Sequence, residues 1–380
     1  MACGTIRAMK KGIDNPFIIS GYVSPEYFCD RKEETERLID AMVNGRNVTM
    51  IAPRRMGKTG LIKNAFYRLK AEGGWNPIYV DVYSCQNQVD FAKRMAETII
   101  GSMDSTVEKA LKAAAKFFKS LRPSVSIDPI TGSPTYSLGV ERSESEVTLR
   151  ECFEYLGSRS SRCIVAIDEF QQVASFREKG LEALLRSLIQ FVPNVRFIFA
   201  GSKRHMIADM FSSPARPFYN STQMFPLDVI QSDAYFRFAR RHMKSRGVSL
   251  ERDVFDFIYG RFDGITWYVQ TILNRLYGFR SARLDDVSKV VQSILDENTY
   301  NFGNILENLP LGSVRLLRAI AQEGAVKAVN AGSFIERHRL RATSSVNASL
   351  SKLLQTGLVD KTERGYLVED RFFSLWLARQ

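Results

Sequence analysis

The chain has little of what metal centres and secreted scaffolds are built from. Its 380 residues hold five cysteines, at 3, 29, 85, 152 and 163, and their spacing is not that of a zinc site. The three histidines, His205, His242 and His338, lie far apart. Cys163 sits inside an apolar run, so the thiols read as reduced and incidental. No apolar stretch approaches the ~18 residues of a membrane span, and Met1–Arg7 lacks the charged-then-apolar layout of a leader. These absences predict a cytoplasmic protein without a membrane span or a cysteine–histidine metal site. Disorder is excluded as well, because 45% of residues are apolar and 25% charged, as in ordinary globular domains. A chain of this length has room for two or three cores.

Residues 52–59, Ala-Pro-Arg-Arg-Met-Gly-Lys-Thr, form a phosphate-binding loop of the G-x-x-x-x-G-K-[ST] type, with Ala52 in place of the first glycine. The flanks suit it. Asn47–Ile51 is a short apolar run fit for a buried strand, and Gly60–Leu69 has helical periodicity. A strand, tight loop and helix aim backbone N–H groups and a helix N-terminus at an anion. The predicted nucleotide-binding set is Ala52, Pro53, Arg54, Arg55, Met56, Gly57, Lys58, Thr59 and Gly60. Within it Gly57 admits the phosphates, Lys58 reaches the β- and γ-phosphates, and Thr59 offers its hydroxyl to Mg²⁺. Alanine fits the first position as long as its φ stays negative.

Cys163–Ile167 is an apolar run ending in Asp168-Glu169, which predicts a parallel strand buried on both faces with carboxylates where α/β sheets place ligands. Asp168 is the candidate Mg²⁺ carboxylate and Glu169 the candidate base for water. A third strand, Val195–Ala200, leads into Gly201-Ser202. Ser202 has two readings, a hydrogen-bonding partner of the γ-phosphate or the attacking water, and a helix N-cap for 203–211.

Elsewhere the pattern predicts a helix over Lys32–Val43, a strand over Pro77–Tyr83, and helices over 88–101 and Lys109–Leu121. A β-hairpin insertion is expected near 122–141, then a strand at Thr222–Phe225. Residues 228–310 read as a helical lid. Arg237, Arg240, Arg241, Lys244 and Arg246 cluster on one of its helices, as either a solvated face or a phosphate contact. Residues 311–380 read as a winged helix: helices Ser313–Gln322, Gly332–His338 and Ser345–Gln355, the last capped by Ser344 or Ser345, and a wing around Glu363-Arg364-Gly365.

This order of loop, acidic strand, Gly-Ser strand, lid and winged helix resembles the prokaryotic ATPase-domain family of AAA+/STAND-like P-loop ATPases. Asn15-Pro16-Phe17 and Phe28–Glu34 resemble its N-terminal segment on the adenine side, and Pro53–Thr59 its arginine-rich loop. Arg216–Tyr219 resembles the segment that carries a basic residue before the fifth strand. Asp263–Gln270 resembles the lid motif, with Thr266 in place of a proline. The resemblance implies a three-layer α/β/α core over residues 1–227, with ATP and Mg²⁺ as ligands. It assigns catalytic roles to Lys58, Asp168, Glu169, Ser202 and Arg216, and the metal to Thr59 and Asp168. Arg216 keeps a second reading, as a side chain snorkelling from a surface loop.

Net charge is +12, and residues 311–380 hold 11 Lys/Arg against 6 Asp/Glu, which suits a polyanion. Arg337, Arg339 and Arg341 are the candidate phosphate contacts. The expected activity is Mg-dependent ATP hydrolysis that drives a switch in the lid and winged helix. The alternative is a nucleotide-gated DNA-binding protein with slow or no turnover. Double-stranded DNA, a protein client and a second copy of the chain are the candidate partners.

Overall fold

In the computed structural model the described residues are 15–103, 116–127 and 134–380. The chain divides into two compact units. One is Ile18–Tyr235; the other takes Phe236–Gln380 together with the chain up to Phe17.

In the first unit a five-stranded parallel sheet runs β2-β5-β6-β1-β7, from β1 (Val48–Ile51), β2 (Trp75–Asp81), β5 (Arg162–Asp168), β6 (Val195–Gly201) and β7 (Gln223–Pro226). The apolar run of β5 explains its interior place, between β2 and β6. Cys163, Val165 and Ile167 face one core with Phe153, Phe197 and Phe199. Ile164 and Ala166, on the opposite face, are also fully buried, as expected for a strand covered by helices on both sides. The covering helices are α1 (Lys32–Val43), α2 (Lys58–Glu72), α3 (Gln88–Met103), α4 (Ser145–Gly157), α5 (Leu181–Gln190) and α6 (Arg204–Ser212). The predicted strand Pro77–Tyr83 begins two residues earlier and ends at Asp81; beyond it the Val82 N–H still donates to the Asp168 carbonyl at 3.2 Å.

The insertion is an antiparallel hairpin of β3 (Leu121–Ile127) and β4 (Pro134–Val140); its turn lies outside the described residues. So does most of the helix expected over Lys109–Leu121. Only Lys116 and Phe117 are seen helical, and Leu121 opens β3 instead.

Two packing features brace the end of the sheet that carries the loop of residues 52–59. Phe170, Phe199, Phe211 and Phe218 form an aromatic cluster with centroids 4.7–5.9 Å apart, which anchors the chain immediately after Glu169. Arg31, only 2% exposed, donates to the Met56 carbonyl at 2.9 Å and to Glu34 Oε1 at 3.0 Å. Burial pulls the Arg31 guanidinium below its ordinary pKa, with Glu34 opposing. The N-terminus of α1 is thereby tied to the 52–59 loop.

In the second unit α7 (Ser232–Ser245), which starts just before the boundary, leads to α8 (Arg252–Arg261), α9 (Thr266–Leu276) and α10 (Leu284–Glu307). This segment is not wholly helical as expected. Ser249–Leu250 (β8) and Ser281–Ala282 (β9) pair in parallel. Phe17 is fully buried against Phe238, His242 and Tyr277, and Asn274 donates to its carbonyl at 2.7 Å. The N-terminal segment therefore packs with α7 and the end of α9. Of the basic residues expected here, Arg240 lies over Phe236, Arg241 over Phe238 and Arg246, just past α7, over Tyr277, and all five stay exposed.

The winged helix consists of α11 (Leu311–Glu323), α12 (Gly332–Arg337), α13 (Thr343–Thr356), the wing β10 (Val359–Thr362) and β11 (Gly365–Val368), and a further helix, α14 (Arg371–Leu377). The N-cap of α13 is Ala342, without a side-chain bond. The expected serine cap is absent because the helix starts before either serine. Val326 exchanges backbone bonds of 2.8 Å with Tyr366, adding a bridge to the wing. The winged helix and the helices α8 to α10 share one unit. Asp263 receives Arg364 through two bonds of 2.9 Å and Arg371 at 3.0 Å, and the Arg371 N–H donates to the Tyr268 hydroxyl at 2.9 Å.

Two substitutions test this packing. Gly365 has φ +117°, and a Cβ there would lie 2.4 Å from the Val326 carbonyl oxygen. Gly365→Ala is expected to lower stability by about 2–4 kcal/mol through strain and loss of the bridge, read as a lowered melting temperature of the winged helix. Arg31→Met leaves a buried carbonyl unpaired and is expected to cost about 2–4 kcal/mol. Arg31→Lys should recover less than half, because an ammonium lacks the fork that reaches both partners.

Candidate nucleotide site

The loop begins where β1 ends. Ala52 is buried and keeps an ordinary backbone, while Arg55 and Gly57 take the left-handed region at φ +68° and +88°. That reversal turns the chain into α2. Its N-cap, Gly57, supplies no side-chain acceptor, so the first-turn N–H groups are available to an anion. The ring of Phe28 lies against Gly60, 3.2 Å from where a Cβ would stand, so glycine there lets the aromatic side chain close on the helix start.

Lys58 folds back over the loop, its Nζ donating to the carbonyls of Ala52 at 3.1 Å and Pro53 at 3.0 Å. Burial lowers its pKa, opposed by the charges of Glu169 and Asp168.

At the end of β5, Asp168 Oδ2 accepts from Thr59 Oγ1 at 3.0 Å and also from the Tyr79 hydroxyl. Tyr79 stands on β2, next to β5, in register with Ala166. Its hydroxyl also lies 3.3 Å from Thr59 Oγ1, and burial and the neighbouring Asp168 raise its pKa far above the ordinary phenol value. Asp168 Oδ1 accepts the Glu169 N–H at 3.0 Å. Thr59 and Asp168 thus present hard oxygens side by side, the donor type that Mg²⁺ takes. Among the described residues no cluster of three or more histidine, cysteine or acidic side chains could hold a metal by itself.

Glu169 adopts φ +57°, a conformation that costs a non-glycine residue roughly 1 kcal/mol and is held here by the Phe170 cluster behind it. Its Oε2 accepts from Ser202 Oγ at 2.7 Å and from the Gln171 amide. The helix-cap reading of Ser202 is overturned. Lys203 occupies the N-cap of α6 without a side-chain bond, because Ser202 is turned toward Glu169. Arg216 is neither snorkelling nor offered to the loop. It pairs with Glu182 at 3.0 Å and Asp209 at 3.4 Å, since Phe218, two residues on, is plugged into the aromatic cluster.

The sequence therefore led to Lys58, Thr59, Asp168, Glu169 and Ser202, and these residues meet. It did not lead to Tyr79 or Gln171. A tyrosine in a strand and a glutamine after an acidic pair are ordinary residues, and only the β2–β5 register and the turn after β5 bring them to the site. Asp263–Gln270 belongs to the second unit, where Asp263 is held by Arg364 and Arg371 and Thr266 opens α9.

Residues 300–379 match a family model described as "Probable winged helix domain". No curated protein matches the chain. Among solved structures, a Walker-type ATPase of Pyrococcus abyssi is similar at 18% identity and a TM-score of 0.64, over 95% of this chain and 99% of that one. The ORC2 protein of Aeropyrum pernix, solved with ADPNP and ADP, is similar at 17% identity and 0.57, over 96% of each. The ORC1 protein of the same organism, in complex with DNA, gives 13% and 0.53 over 93% of each. The chain shares the fold of these solved Walker-type ATPase and ORC structures, and its residues 300–379 match a winged-helix domain.

Proposed function

We propose that this protein binds ATP with Mg²⁺ in the 52–60 loop and hydrolyses it. The observation that carries the reading is the 3.0 Å contact between Thr59 Oγ1 and Asp168 Oδ2, which joins the phosphate loop to the acidic strand.

The first-turn N–H groups of α2 and the Lys58 ammonium hold the β- and γ-phosphates, and Lys58 gives up its loop carbonyls for phosphate oxygens. Thr59 and Asp168 hold Mg²⁺, which when bound neutralises charge on the phosphates. Glu169 takes a proton from water as the water oxygen attacks the γ-phosphorus; the bond to the β–γ bridging oxygen breaks, releasing ADP and phosphate. The Arg54 side chain, exposed at the loop, adds positive charge at its mouth.

A second reading, binding of double-stranded DNA by the winged helix, is favoured by Arg315 and Arg341. With Ser345 and Ser349 they line a cleft of about 240 Å³ between α11 and α13, and no described carboxylate is paired with either arginine. The structurally similar ORC1 protein is in complex with DNA. Of the other candidates, Arg337 is already bound to Glu323 at 2.6 Å, beside His338 at 2.8 Å.

Lys58→Ala is expected to weaken ATP binding roughly 10–100-fold, the scale of a lost charge-assisted contact, by titration with a fluorescent nucleotide; unchanged affinity removes the loop assignment. Glu169→Gln is expected to keep ATP while phosphate release falls ~10²–10⁴-fold, and wild-type turnover in that variant removes Glu169 from the chemistry. For DNA, Arg315→Ala and Arg341→Ala should each flatten the dependence of log K on log salt by about 1, whereas Arg337→Ala should change it little. Absence of binding by the wild type at low salt ends that reading.

A further inference from the structure

Gln171 is 2% exposed, in the 3-10 turn Phe170–Ser175 that follows Glu169. Its amide nitrogen donates to Glu169 Oε2, the same oxygen that takes the Ser202 hydroxyl. The amide orientation follows from this bond, since the reverse would set two oxygens against each other. Its own oxygen is buried without a hydrogen-bond partner and is pressed onto β6, 2.2 Å from where a Cβ on Gly201 would stand.

This is a poor arrangement for stability alone. A buried amide with one end unsatisfied costs about 1–3 kcal/mol relative to a well-packed apolar side chain. What the arrangement achieves is local to Glu169. With two donors on Oε2, the carboxylate is fixed in rotation, and Oε1 has no partner among the described residues. Gly201 makes the geometry possible, because any larger residue would push the amide off the strand.

We propose that Gln171 is a positioning residue for hydrolysis. It clamps Oε2 of Glu169, jointly with Ser202, so that Oε1 is aimed at the attacking water, and Gly201 is the backbone site that seats the clamp. The inference rests on the ATPase reading, with Glu169 as the base.

The test uses Gln171→Met, which keeps the length and shape and removes the donor, and Gly201→Ala, which displaces the amide sterically. Each is measured alone and in the Glu169→Gln background. Both single variants are expected to melt near the wild type, to bind ATP within about twofold of it, and to lose roughly 10–100-fold in kcat, part of what a positioned base supplies. In the Glu169→Gln background neither should lower turnover further, because residues acting as a unit are not additive. Crystal structures of the two single variants should show the Glu169 carboxylate away from Ser202.

Wild-type kcat in both variants overturns the proposal. So does a parallel loss of ATP affinity, or a further loss in the Glu169→Gln background, since each marks a merely structural role. Failure of the ATPase reading shows separately, as no turnover by the wild type or full turnover by Glu169→Gln. The crystal structures then decide: a carboxylate still bound to Ser202 in both variants overturns the clamp, and a displaced one supports it.

Discussion

The carboxylate of Asp168 is the point on which the first unit turns. One side chain takes hydrogen bonds from the phosphate-loop helix, from β2 and from the backbone of its neighbour. Those elements come from distant parts of the sequence, so none can shift without breaking a bond in a largely buried setting, where an unmade hydrogen bond is costly. Tyr79 matters here as much as Thr59. Its ring fills the space between β2 and α2, with Lys63 above it at 5.1 Å, and its hydroxyl ties both to the acid. The order β2-β5-β6-β1 follows from the same requirement, because it sets the acidic strand one strand removed from the loop strand, with the Gly201-Ser202 end between them.

Much of this was legible in the sequence, and for identifiable reasons. A glycine at position 57 has to take a positive φ, and five apolar residues before Asp168-Glu169 have few other places to go than the middle of a covered sheet. The first helix is reproduced to the residue, and the hairpin pairs as its alternation predicted. Other features depend on neighbours that sequence spacing does not reveal. Ser202 before a helix looks like a cap until Glu169 is found 2.7 Å away. Arg216 looks available until Phe218 is seen buried, which fixes the loop and turns the guanidinium toward Glu182 and Asp209. The serine cap expected at α13 is absent for a simpler reason: the helix begins two residues early, and Ala342 stands at its start.

The second unit is organised by a different economy. Here aromatic contacts do most of the joining. Tyr268 stacks on Phe262 at 5.6 Å and meets Phe372 edge-on at 5.2 Å, so that lid and winged helix share a core. Asp263, at φ +53°, adds an ionic link from the wing turn through Arg364 and from the last helix through Arg371. The surplus of positive charge in residues 311–380 is therefore partly used internally, while Arg315 and Arg341 line the α11–α13 cleft.

The chain crosses between its compact units twice, once at Phe17–Ile18 and again at Tyr235–Phe236. A protease that cut only the second connection would leave the halves attached through the Phe17 socket, by packing and two side-chain amides instead of a peptide bond.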